Sequence, residues 1–207
     1  MAFFALFLLT CLAVDVTYAA RAKPSNDIAS PQVTNWGTWS TPSFCPSKEF
    51  VVGMQLRTEP DQGSGDDSAL NAIRFLCARV PYNGGPETST ATPHDGFWGT
   101  WGKKFYCKND EYAVGFQLRS EKDQGKGDDS AANNLRLLCG NIKNPKNIYT
   151  MLDQVEGDGM QWGDWTAVQT CPEMHVMCGL KVQVEEQQGS GDDSALNNLV
   201  ASCCSLL

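Results

Sequence analysis

Short runs in which apolar and polar residues alternate recur along this chain and predict β-strands. In residues 49–59 the apolar side chains Val52, Met54 and Leu56 are separated by small or polar residues, which is the period-2 pattern of a strand with one buried face. Residues 70–80 predict a second strand with a less regular alternation. The Gly- and Asp-rich segment between them predicts a loop. Beyond the N-terminal apolar run, no stretch shows a 3.6-residue stripe, so we expect little or no helix.

Three copies of one unit make up most of the chain. The motif WGxW occurs three times and contains all six tryptophans. A cysteine follows nine residues after the first tryptophan of each motif, and a second cysteine follows 32 positions later. The motif QGxGDDSA lies between the two cysteines of each unit. The units therefore span residues 36–97, 98–161 and 162–207.

The third unit ends soon after its second cysteine and is shorter than the other two. Residues 28–35 precede the first WGxW as residues 88–97 precede the second. If residues 28–35 complete the third unit, the repeats close into a ring and leave no open sheet edge. We therefore predict one domain over residues 28–207, preceded by a disordered segment over residues 20–27.

The number and length of the units discriminate among closed β architectures. Propellers take about 4 to 8 blades, and a β-trefoil is built from shorter units. We therefore predict an all-β fold, a β-prism of three four-stranded Greek-key sheets with pseudo-threefold symmetry.

The N-terminus resembles a secretory signal. Residues 1–12 are almost wholly apolar, and small residues follow up to Ala20, which predicts a signal peptide of residues 1–19. A membrane anchor would need about 20 apolar residues. Cleavage removes Cys11 and leaves eight of nine cysteines, an even number that suits an oxidising compartment. We therefore predict a secreted, extracellular protein.

The charge of the cleaved chain restricts its partners. Cleavage removes Asp15 from the 24 acidic residues and leaves all 16 basic ones, for a net charge of −7. Such a charge argues against nucleic acid or an anionic membrane surface as a partner. His94 and His175 are the only histidines and do not recur between units. With the cysteines paired, we predict no metal site and no cofactor.

The repeated motifs resemble those of the vitelline membrane outer layer protein I family. WGxW, VGMQLR, QGxGDDSALN and the Cys-Pro pair of the first and third units carry the resemblance, which covers residues 33–207. Lys108 stands where the other two units have that proline. The resemblance implies a β-prism with four disulfides. It also implies an extracellular role in egg coats and some secretions.

The spacing of the cysteines, compared between units, predicts their pairing. Three bridges follow from the repeat and leave Cys178 and Cys204 for a fourth. Exchange between Cys203 and Cys204 stays open as an alternative, because either could reach Cys171 after a small backbone shift. The predicted bridges are Cys45–Cys77, Cys107–Cys139, Cys171–Cys203 and Cys178–Cys204.

The repeated tryptophans and Asp pairs each have a structural and a functional interpretation. A residue that recurs in every unit is usually required by the fold, so we expect the tryptophans in the core; sugar-stacking platforms are the alternative. Adjacent Asp residues cannot both point at one cation in this register, and they commonly bond their own loop. A structural role is therefore expected, with binding as the alternative. The pairs are Asp66 and Asp67, Asp128 and Asp129, and Asp192 and Asp193.

Three glutamates, Glu59, Glu121 and Glu185, recur beside the Asp pairs. They could line a cleft on the threefold axis and are the candidate catalytic residues. Glycosidase chemistry, however, needs two carboxylates in unlike environments, about 5 to 10 Å apart. Our leading hypothesis is therefore a non-catalytic structural or glycan-binding component of an egg envelope, mucus or similar matrix, with extracellular glycans or matrix proteins as partners. The alternative is an enzyme that transfers or hydrolyses N-acetylglucosamine oligosaccharides, an activity associated with the family that the chain resembles.

Overall fold

The computed structural model describes residues 26–60, 63, 68–123, 125, 130–143, 152–187 and 194–206. The predicted signal peptide, residues 1–19, and residues 20–25 lie outside these ranges. Within the described ranges all regular structure is β, and no helix there is long and apolar enough to cross a membrane. The strands are β1 (Asn26–Ala29), β2 (Thr38–Trp39), β3 (Ser43–Phe44), β4 (Glu49–Thr58), β5 (Leu70–Arg79), β6 (Ser89–Ala91), β7 (Thr100–Tyr106), β8 (Glu111–Ser120), β9 (Ala132–Asn141), β10 (Asp153–Glu156), β11 (Asp164–Trp165), β12 (Gln169–Thr170), β13 (His175–Val184) and β14 (Leu196–Ser205).

These strands form three antiparallel sheets of the same design. The first sheet has the order β6-β5-β4-β7, and the second has β10-β9-β8 with β11 and β12 side by side on the far edge of β8. The third sheet has β1-β14-β13 with β2 and β3 on the far edge of β13. In the first two sheets the last strand along the chain returns beside the first, which is a Greek key. The predicted β-prism is confirmed.

Each sheet takes one edge strand from the WGxW motif of the following unit. Each sheet therefore ends later in the sequence than its repeat unit does, by the length of this motif. In the third sheet the N-terminal residues 26–44 supply both edges, which is a larger contribution than residues 28–35 alone. The pairs that join the second tryptophan to the long strand are Trp101 with Arg57, Trp165 with Arg119, and Trp39 with Gln183.

Strand β1 begins before the expected start of the domain. Asn26 and Asp27 belong to the segment expected to be disordered, residues 20–27, yet they pair with β14 and continue its ladder. The strand ends at Ala29, two residues before Pro31, which has no N–H to donate. The second edge of β14 is thereby covered.

The inward faces of the long strands build one core, but a β-bulge interrupts the alternation. The pairing of β4 with β5 shifts register between Val51 and Gly53. Val52 was expected beside Met54 in the core, and it packs instead in a second apolar cluster with Phe50. The bulge is the reason, because its extra residue reverses the side-chain direction. Equivalent bulges occur in β8 and β13.

The four disulfides have the pairing that the spacing predicts, and three of them connect neighbouring sheets. Cys107 follows β7 of the first sheet, where its N–H donates to Val52 O at 2.8 Å, and it bonds Cys139 in the second sheet. The other two repeated bridges link the third sheet to the first and the second to the third in the same way. The fourth, Cys178–Cys204, ties β13 to β14 within the third sheet, with Cα atoms 5.8 Å apart.

The glycine of each WGxW lies directly against the backbone of the preceding sheet. Gly37, Gly99 and Gly163 all have positive φ, a conformation that glycine adopts without a Cβ penalty. A Cβ atom on Gly99 would overlap the carbonyl group of Thr58 at the end of β4, and its two counterparts meet equivalent carbonyls. No other residue type therefore fits the middle of this motif.

Removing strand β1 tests the closure of the ring. A chain that starts at Ser30 should melt about 5 °C below a chain that starts at Asn26, because it loses the β1 ladder and the packing of Ile28, together about 2 kcal/mol. It should also associate through the exposed edge of β14. Thermal melting and light scattering measure both effects. If both chains remained monomeric and had the same melting temperature, this role of β1 would be contradicted.

Substituting glycine tests the close approach of WGxW. Gly99 and Gly125 have the same φ of +74°, but open space surrounds Gly125. Gly125→Ala should cost about 1 kcal/mol of backbone strain, whereas Gly99→Ala should cost about 3 kcal/mol or more because the backbone of β4 must also move. Denaturant unfolding of both variants gives the difference. Equal losses would show that φ alone matters.

Candidate functional site

The tryptophans lie at the surface of the prism. Five of them are half-buried, and Trp39 is 39% exposed. The prediction that they form the core is wrong, because the aliphatic side chains of the long strands fill the interior. WGxW strands occupy sheet edges, where the second tryptophan faces outward together with the polar residues of its neighbour.

The second tryptophan of each motif lies under a cation on the outer face of its sheet. In the first sheet, the guanidinium carbon of Arg74 is 3.9 Å from the ring centroid of Trp101. In the second, Arg136 lies 4.1 Å from Trp165. Such cation–π contacts contribute about 0.5–2 kcal/mol. We call these pairs, with the third-sheet pair described below, the Trp–cation clusters.

Several polar bonds hold Arg74 in place in the first sheet. Its Nη1 donates to Gln55 Oε1 and its Nε to Thr92 Oγ1, both at 3.1 Å. Its Nη2 lies 3.8 Å from Asp95 Oδ1. The guanidinium is therefore oriented and charge-paired while it covers Trp101.

The second sheet repeats this arrangement with a closer ion pair. Nη1 of Arg136 donates to Gln117 Oε1 at 3.3 Å, and its Nη2 donates to Glu156 Oε2 at 2.7 Å. The side chain of Arg136 is largely buried. This cluster, too, is internally neutralised.

The third sheet obtains its cation from a different strand. Val200 stands at the position of Arg74 and Arg136, and Lys181 stands at the position of Gln55 and Gln117. Nζ of Lys181 lies 5.0 Å from the ring centroid of Trp39. Sequence comparison of the units could have found this exchange, because Lys181 replaces a glutamine that the other two units share.

A polar contact between sheet and motif occurs in all three sheets although its donor differs. Arg57 Nε donates to Gly99 O at 3.1 Å, and Arg119 Nε makes the equivalent bond to Gly163 O at 3.0 Å. In the third sheet, Gln183 Nε2 donates to Gly37 O at 3.1 Å. The shorter glutamine therefore keeps the contact with the glycine carbonyl.

A group of aromatic side chains at the junction of the first and second units has no counterpart at the other two WGxW motifs. Phe97 is 41% exposed, and its ring centroid lies 5.4 Å from Trp98 and 5.1 Å from His94. Asn35 and Gln161 occupy the position of Phe97 in the other units. The sequence comparison had set His94 aside because it does not recur, and so missed this group.

Each candidate catalytic glutamate is hydrogen-bonded within its own loop. Ser68 Oγ donates to Glu59 Oε2 at 2.6 Å, and the amide of Asn71 donates to that hydroxyl at 2.8 Å. Ser130 and Ser194 make the equivalent bonds to Glu121 and Glu185. The three carboxylates thus have equivalent hydrogen-bond partners, one serine each.

The same loops also anchor the next WGxW. Asn71 Oδ1 accepts from the backbone N–H of Trp98 at 3.1 Å, and Asn197 accepts from Trp36 at 3.2 Å. The Asp pairs of these loops, Asp66, Asp67, Asp128, Asp129, Asp192 and Asp193, lie outside the described residues. Among the residues that are described, no group of three or more His, Cys, Asp or Glu side chains could hold a metal ion.

Two neighbouring carboxyl groups, Glu111 at the start of β8 and Asp153 at the start of β10, have pKa values displaced in opposite directions. Burial raises the pKa of Glu111, and the adjacent negative charge of Asp153 adds to the effect. The Lys108 ammonium, 2.6 Å from Asp153 Oδ2, lowers the pKa of Asp153. Because each carboxyl group shifts the pKa of the other, the pair bears on the pH dependence of stability.

The substitution Glu111→Gln tests this pair. A raised pKa in the folded state means that Glu111 favours folding below about pH 4.3 and loses this contribution as pH rises. Glutamine keeps the neutral form at every pH. The variant should melt roughly 2–4 °C above the wild type at pH 7, for about 1 kcal/mol, and the gain should vanish near pH 4.

Glu49→Gln provides the matched control at the equivalent position. Glu49 accepts from Ser89 Oγ and lies 3.5 Å from Arg79 Nε, so glutamine there should bring no gain at pH 7. A gain for Glu111→Gln that is equal at both pH values would contradict the assignment.

Comparison with known proteins identifies relatives over nearly the whole described chain. The family model of vitelline membrane outer layer protein I (VOMI) matches residues 26–206. The vitelline membrane outer layer protein 1 homolog of Homo sapiens is 38% identical over 173 residues, which are 82% of this chain and 78% of that protein. The homolog of Mus musculus is 35% identical over 179 residues, 83% of this chain and 81% of that protein.

Two solved lectin structures share the fold at low sequence identity. The prostate-specific WGA16 glycoprotein lectin has a TM-score of 0.51 at 9% identity, over 86% of this chain and 98% of that one. The Calsepa lectin in complex with a biantennary N-glycan has a TM-score of 0.50 at 13% identity, over 89% and 99%. At these identities the likeness concerns the fold alone.

Proposed function

The chain belongs to the vitelline membrane outer layer protein I family, and we propose that it is a non-catalytic extracellular protein that binds glycans on the outer faces of its prism. In this way it contributes to an egg envelope, mucus or another secreted matrix. The observation that carries the proposal is the surface position of one tryptophan ring on each sheet, beside a cation.

An aromatic ring flanked by polar groups suits a sugar. Once the cation moves aside, the ring offers an apolar face to the C–H face of a pyranose, and neighbouring donors and acceptors match its hydroxyl groups. Three such clusters on three different sheets would allow one molecule to hold several glycan chains, which raises the overall avidity without any new contact. That property suits a component of a matrix.

The extracellular setting has separate support. Four disulfides within a chain of this size are typical of oxidising compartments. Cleavage of residues 1–19 and secretion are part of the proposal. The Calsepa lectin, which shares the fold, is complexed with a biantennary N-glycan, and carbohydrate is therefore the ligand class that we would test.

A glycan array probed with the purified protein tests the proposal. The wild type should bind a subset of glycans, and Trp39→Ala, Trp101→Ala or Trp165→Ala should each weaken binding about tenfold, as expected for the loss of one stacked ring at roughly 1.4 kcal/mol. Val168→Ala is the matched control, because Val168 is also exposed, at 49%, but is not a member of any Trp–cation cluster. Binding to no glycan, or equal binding by all variants, would refute the proposal.

A turnover assay on chito-oligosaccharides separates binding from catalysis. Because Glu59, Glu121 and Glu185 are bonded to serines of their own loops, we expect no product from the wild type. Product that disappears in Glu59→Gln, Glu121→Gln or Glu185→Gln would establish the enzymatic alternative instead.

A further inference from the structure

The three outer faces differ in the row of residues that crosses each sheet beside its tryptophan. In the first sheet Arg74 pairs with Gln55 across β5 and β4 and bonds Thr92 at the edge. The second sheet has the row Glu156, Arg136 and Gln117. Both rows are polar and closed by hydrogen bonds between their members.

The row of the third sheet is apolar except for one lysine. Ala29 pairs with Val200, and Val200 pairs with Lys181. Within the described part of the chain, Lys181 forms no ion pair, in contrast to Arg74 and Arg136. Among the described residues, its ammonium lies 5.0 Å from the ring centroid of Trp39. A positive charge without an acidic partner among the described residues thus lies beside Trp39, the most exposed of the six tryptophans.

The acidic residue that the backbone places on the same face is too distant to neutralise Lys181. Asp27 alternates with the inward-packed Ile28 on β1 and so faces outward. It lies two strands from β13, about 10 Å in the hydrogen-bonding direction, and two residues along the row. At that separation an exposed pair is largely screened at physiological salt.

We propose that the outer face of the third sheet binds anionic sugars, with Trp39 as the platform and Lys181 as the partner of the sugar's carboxylate or sulfate group. This inference rests on the proposed glycan binding and gives one face its ligand class. A pyranose stacked on Trp39 would carry its anionic substituent at the ring edge, within reach of an ammonium that lies 5.0 Å from the ring centroid. A carboxylate or sulfate there gains a charge-assisted hydrogen bond.

The other two faces would require more rearrangement to accept the same ligand. Arg74 and Arg136 are each held over their tryptophan by side-chain hydrogen bonds and an acidic partner. An anion would have to compete with Asp95 or Glu156 for these guanidinium groups. In the described part of the chain Lys181 has an exposed cation–π contact alone, which is worth about 0.5–1 kcal/mol, and its flexible stem lets the ammonium move aside.

The experiment compares three defined oligosaccharides by calorimetry at low and physiological salt. The probes are a neutral chitotetraose, an unsulfated chondroitin tetrasaccharide that carries carboxylates, and a chondroitin 4-sulfate tetrasaccharide that also carries sulfates. At low salt the wild type should bind at least one anionic probe about tenfold or more tightly than the neutral one, and salt should reduce this preference. Comparison of the two anionic probes shows which group is recognised.

Three variants assign the effect to the third sheet. Lys181→Gln restores the residue of the other two units and should abolish the anionic preference. Trp39→Ala should weaken both kinds of probe at this face. Lys103→Gln, which removes an exposed lysine on β7 of the first sheet, is the control for net charge and should behave as the wild type does.

The outcomes distinguish this inference from the function on which it rests. Equal affinity for neutral and anionic probes, or an anionic preference that survives Lys181→Gln, would overturn the inference and leave glycan binding intact. Binding of no probe, together with an unreactive glycan array, would overturn both. Melting curves of each variant confirm that the compared proteins are folded.

Discussion

The contact between each WGxW glycine and the end of the preceding sheet is the constraint on which the prism depends. Gly99 meets the carbonyl of Thr58, and Arg57 bonds the carbonyl of Gly99 in return. This joint places the motif as the edge strand of a sheet that its own unit does not build. No unit is therefore complete alone, and the N-terminal residues 26–44 must close the ring.

The loop motif and the tryptophan motif form two sides of the same joint. The hairpin between β4 and β5 ends in Ser68 and Asn71, which bind Glu59 on one side and the backbone of Trp98 on the other. The glutamate, serine and asparagine thereby connect one hairpin to the next unit. Repetition of these residues in all three units follows from a structural need that arises three times, and it requires no ligand.

Regularities in the sequence predicted the strands and the threefold prism, but not which face each side chain takes. Strands β4 and β5 and the pairing of the cysteines could be predicted, because alternation and spacing are properties of a short stretch or of a comparison between units. The outward position of Trp101 could not, since repetition marks a residue that every unit needs without showing which face it takes. The bulge at Val52 was equally hidden, because one inserted residue leaves the apolar composition unchanged.

A threefold scaffold of this kind separates residues that maintain the joints from residues that are free to differ. The glycine and asparagine at the joints are identical in all three units, whereas the outward row changes from Thr92, Arg74 and Gln55 in one sheet to Ala29, Val200 and Lys181 in another. Outward residues contribute little to the core, so such changes have small effects on stability. The cation over the tryptophan is nevertheless present in each sheet. Arg74 and Arg136 stand on β5 and β9, whereas Lys181 stands on β13, the neighbour of the equivalent strand β14. This exchange leaves the fold intact and alters the charge that the outer face presents. One repeated unit can in this way acquire outer faces of different chemistry.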